Sequence, residues 1–461
     1  MKPVVKKVLI ASGGALILAG ALAFSKGQRA LYVGTGYAAK RLCTETFVAG
    51  REPGAVERED LSFLPIPMSM RTDTSAKTAT VTSLGVVRSS AAFRPGLGCA
   101  LTYDTSVEAV QKVKADVQRG VYARGAQWPE GKEVATELPD GIDQDKLTEA
   151  LDFAFAEPDP EHLRNTRAVV VIHDGMLVAE RYGEGYDRDT AMLSWSMAKS
   201  VTNAMVGILV SRGELDIRQP APIEEWSDDA RAKITLEHLL HMSSGLVFRE
   251  DYGAFGDATK MLFVSKDSAR TAAAAPLGFE PGSRWYYSSA DTNIIQRIIR
   301  ETIGDDAAYH ALPAEALFEP IGAHSAVFET DPGGTFVGSS FVYMTAQDWA
   351  RFGQLFLQDG VWGDKRLLPE GWVAFSCSKA PANKAGDYGA HWWLNLGNEE
   401  AGIAKPYPSL PADTCSAQGF ETQRVLVIPS RKTVLVRLGL TRERGAFDTD
   451  TFAKMVLDAL P

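Results

Sequence analysis

Leu193-Ser194-Trp195-Ser196-Met197-Ala198-Lys199-Ser200, followed by the apolar run Val201 to Val210, decides how the rest of the chain is read. Residues three apart are neighbours on a helix surface, so a helix opening here brings Ser196 and Lys199 into contact. A serine hydroxyl is a weak nucleophile until a nearby base takes its proton. Lysine serves as that base when its ammonium form is disfavoured, and the positive end of a helix dipole and apolar surroundings both disfavour it. The first turn of a helix also leaves backbone N–H groups unpaired, ready to hold the negative oxygen of an acyl-transfer intermediate. One turn of helix thus supplies a nucleophile, a base and half of an oxyanion hole.

Ser-x-x-Lys is short enough to arise by chance, and the pattern recurs at Ser376-Cys377-Ser378-Lys379, among proline and asparagine in what reads as a loop. Context separates the two copies. After Ser196, the residues Met197, Val201, Ala204, Met205, Ile208 and Leu209 recur at helical spacing, interrupted only by Lys199, Thr202 and Asn203. Such a helix is mostly buried, and a lysine near its start must stand at the mouth of a cleft or be paired.

With 461 residues, 45% hydrophobic and 23% charged, the chain is long enough for one large or two modest globular domains. A net charge of −10 leaves no basic footprint for nucleic acid. Three lysines within Met1 to Lys7 precede the apolar and small-residue run Val8 to Phe24. That layout reads as an export signal with a cleavage site near Ala21-Leu22-Ala23, or as an uncleaved inner-membrane anchor. Either one places the remainder in the periplasm, with the membrane touched only through this segment. Cys43, Cys99, Cys377 and Cys415 suit an oxidising compartment and form no Cys-x-x-Cys pair, so zinc and thioredoxin-like readings lack support. Their positions favour pairing Cys43 with Cys99 and Cys377 with Cys415.

Three segments follow: residues 1–27 as signal or anchor, 28–145 as an amino-terminal extension, and 146–461 as the main domain. The extension is rich in turn residues and threonine, with short strands such as Thr78 to Val87; its Asp60, Arg88 and Arg94 read as solvated or salt-bridged. A linker at Glu137 to Ile142 leads to a helix over Lys146 to Ala156. Ala168 to His173, the turn Asp174-Gly175 and Met176 to Arg181 predict a β-hairpin. Helices are expected over Leu236 to Met242, Thr292 to Thr302 and Ala346 to Asp359, and strands return around Trp392 to Leu396 and Arg424 to Gly439. The pattern implies an α/β (α+β) fold, an antiparallel sheet flanked by helices with a largely helical insertion.

Ser196-Met-Ala-Lys199, Leu236-Glu-His-Leu-Leu-His-Met-Ser-Ser-Gly245 and Pro281-Gly-Ser-Arg-Trp-Tyr-Tyr-Ser-Ser289, in this order, resemble the serine β-lactamase and penicillin-binding family. The likeness runs from about Lys146 to Pro461. It is greatest to the class C-like branch that includes carboxylesterases, D-aminopeptidases and 6-aminohexanoate-dimer hydrolases. The resemblance implies catalytic Ser196 and Lys199 and maps the family's tyrosine motif onto Tyr287-Ser288-Ser289. Tyr287 becomes the general acid and base, because a phenol beside a lysine can shuttle protons; Tyr286 is the competitor that the family frame sets aside. Ser289 falls on the substrate side.

The third family motif is usually Lys-Thr-Gly or a histidine equivalent, and here it corresponds to Ala417-Gln418-Gly419-Phe420. Gly419 would let the strand approach the substrate beside Gln418, and the Phe420 amide would complete the oxyanion hole with that of Ser196. The cation that greets a penicillin carboxylate is missing. Trp392, Trp393 and Tyr388 either line an acyl pocket or pack the sheet. His238 and His241 lack the His-Glu-x-x-His pattern and shape the core instead, while Asp291 and Asn293 lie close enough in sequence to tune Tyr287. The expected activity is an exported serine hydrolase that cleaves a small amide or ester through an acyl-enzyme, with no metal or organic cofactor. The alternatives are a β-lactamase or DD-peptidase, and a non-catalytic envelope binding protein.

Overall fold

The computed structural model describes residues 27–461, so the run Val8 to Phe24 lies outside the described residues. Among the described residues no helix is long and apolar enough to cross a membrane. The chain enters as helix α1, residues 27–47. It continues into an antiparallel meander of β1 (Met68–Asp73), β2 (Thr78–Ser83), β3 (Val87–Arg94) and β4 (Gly98–Leu101). In β2 the small residues Ala79 and Val81 point inward and the threonines outward, the period of a half-buried strand. The stretch Thr78 to Val87 is two strands rather than one, because Leu84 and Gly85 both take positive φ (50° and 69°) and turn the chain back.

The main domain opens with α2 (Gln144–Phe155), capped by the Asp143 carboxylate on the Lys146 amide. The hairpin β5 (Thr166–His173) and β6 (Met176–Tyr182) turns at Asp174 and Gly175, whose φ values of 47° and 78° suit a two-residue loop. Next come α3 (Ala198–Ser211), α4 (Ser289–Ile303) and α5 (Ala346–Leu357). Four strands then return, β7 (Trp393–Leu394), β8 (Cys415–Gly419), β9 (Gln423–Ile428) and β10 (Thr433–Gly439), before α6 (Thr449–Asp458). They join the hairpin in one six-stranded antiparallel sheet of order β7-β8-β9-β10-β5-β6. The helical region is therefore an insertion between two sequence-distant parts of one sheet, as expected.

Strand β5 is buried along its whole length because both faces are covered. Ala168, Val170 and Ile172 join the core that holds Trp349, Phe352 and Leu355 of α5. Val169 and Val171 face the core of Leu147 and Leu151 from α2 and of Phe452 and Val456 from α6. Ala38, Ala39 and Leu42 of α1 enter the first of these cores, so the extension packs directly on the main domain. The four cysteines pair as Cys43–Cys99 and Cys377–Cys415.

Candidate active site

Ser196 does not open an α-helix directly. Trp195–Met197 form one tight 3₁₀ turn and α3 begins at Ala198, yet Lys199 still falls one turn beyond the serine. Its Nζ donates to Ser196 Oγ at 3.0 Å, to Ser289 Oγ at 3.1 Å and to the Ser339 carbonyl at 3.0 Å. Lys199 is fully buried, and that burial lowers its pKa to about 8, while the Glu250 carboxylate pulls it back up. Burial is thus the main cause of the lowered value. Below the pair, His391 fixes the backbone of α3 through its ring contact with the Lys199 carbonyl at 3.1 Å.

The Tyr287 ring lies 4.8 Å from Lys199 Nζ, and its phenol faces the Ser196 hydroxyl. Desolvation, then Glu250, raise its pKa, so the phenol keeps its proton at neutral pH. Trp393 lies 5.3 Å from the Tyr287 ring and holds it in place together with buried Tyr388 at 5.8 Å. Tyr286 instead turns outward, and its hydroxyl accepts from the Glu250 amide at 3.2 Å. Tyr287, the tyrosine that the family frame singles out, is thus the one placed beside Lys199.

Several sequence-based assignments need correction. Trp392 is no part of the cleft: it is fully buried, with its ring 4.3 Å from Phe356 and stacked on Phe352, on the side of the chain away from Trp393. Ser289 does not reach outward to substrate; it accepts from Lys199 and donates to Glu250 Oε1 at 2.5 Å. Gly419 is required by the protein itself, because a Cβ there would stand 2.2 Å from the Ser194 carbonyl. Its close approach sets the Phe420 turn against the Ser196 turn, with Phe420 and Trp195 rings 5.8 Å apart. Gln418 is engaged with Tyr407 Oη at 3.2 Å and Ser416 Oγ at 2.9 Å. His238 caps its own short helix against Thr235, and His241 packs on Phe375. Asp291 accepts from Ser244 Oγ at 2.8 Å, and Asn293 donates to Ser339 Oγ at 3.1 Å, so Asn293 steadies the residue whose carbonyl receives Lys199.

Sequence reasoning missed three residues. Glu250 accepts from the Ser289 amide at 2.8 Å and from the Tyr252 hydroxyl at 2.7 Å, besides the Ser289 hydroxyl, which makes it the anion of the site. Tyr252 directs its phenol at Ser196 and its ring at Phe420, 5.8 Å away. Arg424 stands beside Gly419, its guanidinium bonded to the Gly419 carbonyl at 3.3 Å and the Gln423 carbonyl at 2.8 Å, and its charge reaches Tyr287. Glu250 and Tyr252 lie in a loop without periodicity, and nothing in their spacing marks them.

A serine at a helix start, bonded to a buried lysine and set against the edge of an antiparallel sheet, belongs to the serine hydrolases that work by acyl transfer. The Beta-lactamase family matches residues 152–456, and the chain belongs to that family. The 6-aminohexanoate-dimer hydrolase of Paenarthrobacter ureafaciens is 23% identical over 308 residues, 59% of this chain and 72% of its own length. Esterase EstB of Burkholderia gladioli is 30% identical over 204 residues, 38% of this chain and 51% of its own length. A family VIII carboxylesterase of known structure superposes with a TM-score of 0.53 at 16% identity, covering 70% of this chain and 98% of that one. At that identity the likeness is one of fold.

Proposed function

We propose that this hydrolase cleaves a small amide or ester through an acyl-enzyme on Ser196. The observation that carries the reading is the 3.0 Å contact between Ser196 Oγ and a lysine whose pKa is lowered to about 8. Ser196 Oγ attacks the substrate carbonyl and its proton passes to Lys199. The Ser196 and Phe420 amides hold the oxyanion. The tetrahedral intermediate collapses, the C–N or C–O bond breaks, and the leaving group takes a proton from Tyr287, which is re-protonated from Lys199. Water then attacks the acyl-serine, with the same groups acting in reverse.

The entrance supports a small and largely apolar substrate. Phe420 and Tyr252, 47% and 48% exposed, bring their rings to 5.8 Å across it, and Trp393 forms the adjoining wall. The motif Ala417-Gln418-Gly419 offers no lysine or histidine, which weighs against penicillins. An extracytoplasmic location is part of the same proposal, supported by the lysine-flanked run Val8 to Phe24 and by the two disulfides. Hydrolysis of p-nitrophenyl acetate and butyrate, a small amide panel and nitrocefin tests the reading. Turnover of esters or amides that vanishes in Ser196→Ala, with nitrocefin poor, is the expected outcome. Activity unchanged in Ser196→Ala overturns it.

A further inference from the structure

Trp195, one residue before Ser196, has a left-handed backbone, with φ of 47°. A bulky residue holds that conformation only where its surroundings over-determine it. Here the surroundings come from two directions. The indole N–H donates to Glu421 Oε2 at 2.9 Å, and Glu421, itself at φ 59°, directly follows Phe420. On the other side the indole lies parallel to the ring of Tyr37, with centroids 6.2 Å apart and planes 8° from parallel. The Arg41 guanidinium stands 5.9 Å from the same indole. Tyr37 and Arg41 belong to α1, far outside residues 152–456 that match the family.

Helix α1 is fastened firmly enough to act as a brace. Asp60 is fully buried and accepts from Arg41, from Arg51 at 2.6 Å and from both terminal nitrogens of Arg167 at 3.0 Å. Arg167 lies on β5 of the main sheet, so the carboxylate ties the extension to the domain that holds the site. Lys40 adds a buried ion pair with Glu329, and Cys43 a disulfide to β4. Tyr37 is further boxed by Phe63 at 5.9 Å and Phe263 at 5.5 Å.

We propose that α1 is a working part of the active site and that Tyr37 is a positioning residue, which through Trp195 holds the Ser196 and Phe420 amides in register for the oxyanion. The proposal rests on the assignment of Ser196 as nucleophile. One indole touches both turns that supply those amides, and the Tyr37 ring closes the face of the indole that the hydrolase domain leaves to the extension. Loosening that ring should leave substrate binding intact and weaken only what forms in the transition state.

The test uses the whole chain with Tyr37→Ala, Tyr37→Phe and Ser196→Ala. It measures kcat and KM for p-nitrophenyl butyrate and the inhibition constant of an alkyl boronic acid, which mimics the tetrahedral intermediate. Tyr37→Ala should lower kcat on the order of 10- to 100-fold, keep KM within about twofold, and weaken the boronic acid in parallel with kcat. Tyr37→Phe, which keeps the ring, should restore kcat to within about twofold of the parent. Should Tyr37→Ala not fold, Tyr37→Leu keeps apolar volume without stacking and is read the same way. A folded Tyr37→Ala or Tyr37→Leu with unchanged kcat overturns the brace, as does a loss that falls on KM with the boronic acid unaffected. Ser196→Ala retaining activity overturns the nucleophile assignment instead, so the two failures are distinct.

Discussion

The two Ser-x-x-Lys copies share a motif and little else. Ser196 and Lys199 stand on consecutive turns at the start of a buried helix, and the lysine has three acceptors within 3.1 Å. Ser376 ends a five-residue helix, so the chain leaves helical geometry before it reaches Lys379, which is exposed. The Ser376 hydroxyl is turned inward, donating to Trp372 O at 2.8 Å with Asn203 Oδ1 a further acceptor at 3.2 Å. A motif becomes a site only when helix continuity and burial act on it together. Continuity brings the two side chains into contact, and burial lowers the lysine's pKa to about 8, within reach of its neutral form.

The sharpest break in this contrast is removal of the chemistry itself. Ser196→Ala and Lys199→Ala are each expected to lower kcat by about 10³-fold or more with the fold intact, checked by steady-state kinetics beside thermal melting. With neutral Lys199 as the proposed base, kcat/KM of the parent should rise with pH through about 8 and level off above it. Glu250→Gln comes next. Its charge raises the Lys199 pKa, so its loss should move that acid limb to lower pH, while kcat falls about 10-fold as one of the two oxygens that accept from Ser289 becomes an amide donor. A limb that moves upward would contradict the assigned role of Glu250. For the second copy, Ser376→Ala should cost about 1 kcal/mol of stability through its lost hydrogen bonds and leave kcat/KM unchanged. Lys379→Ala is expected within about 0.5 kcal/mol of the parent in denaturant unfolding, with full activity.

Much of this was legible in the sequence because the signals were periodic or local. The Asp174-Gly175 turn specified its hairpin, and the apolar spacing after Met197 specified α3. The tyrosine motif pointed to Tyr287, whose ring lies beside Lys199, rather than to Tyr286. What escaped depends on how distant segments face one another. Trp392 and Trp393 are adjacent in an extended chain and point to opposite sides, so at most one of them could reach the cleft. Composition alone gives no means of choosing. Glu250 acts from a loop whose position is set by Tyr286 and Ser289, and Asp60 reads as solvated or salt-bridged with no partner named until Arg41, Arg51 and Arg167 converge on it.

The sheet order carries a consequence for biosynthesis. Strand β10 must lie between β9 and β5, and its Thr433 meets His173 across 260 residues of chain. A polypeptide released from the ribosome amino-terminus first therefore exposes the hairpin edge and the Ser196 turn throughout the synthesis of the helical insertion. Only when the carboxyl-terminal strands arrive does the catalytic floor close. Such long-range pairing folds slowly, and a chain not yet extended past Gly419 holds the Ser196 turn without the Phe420 turn that packs against it.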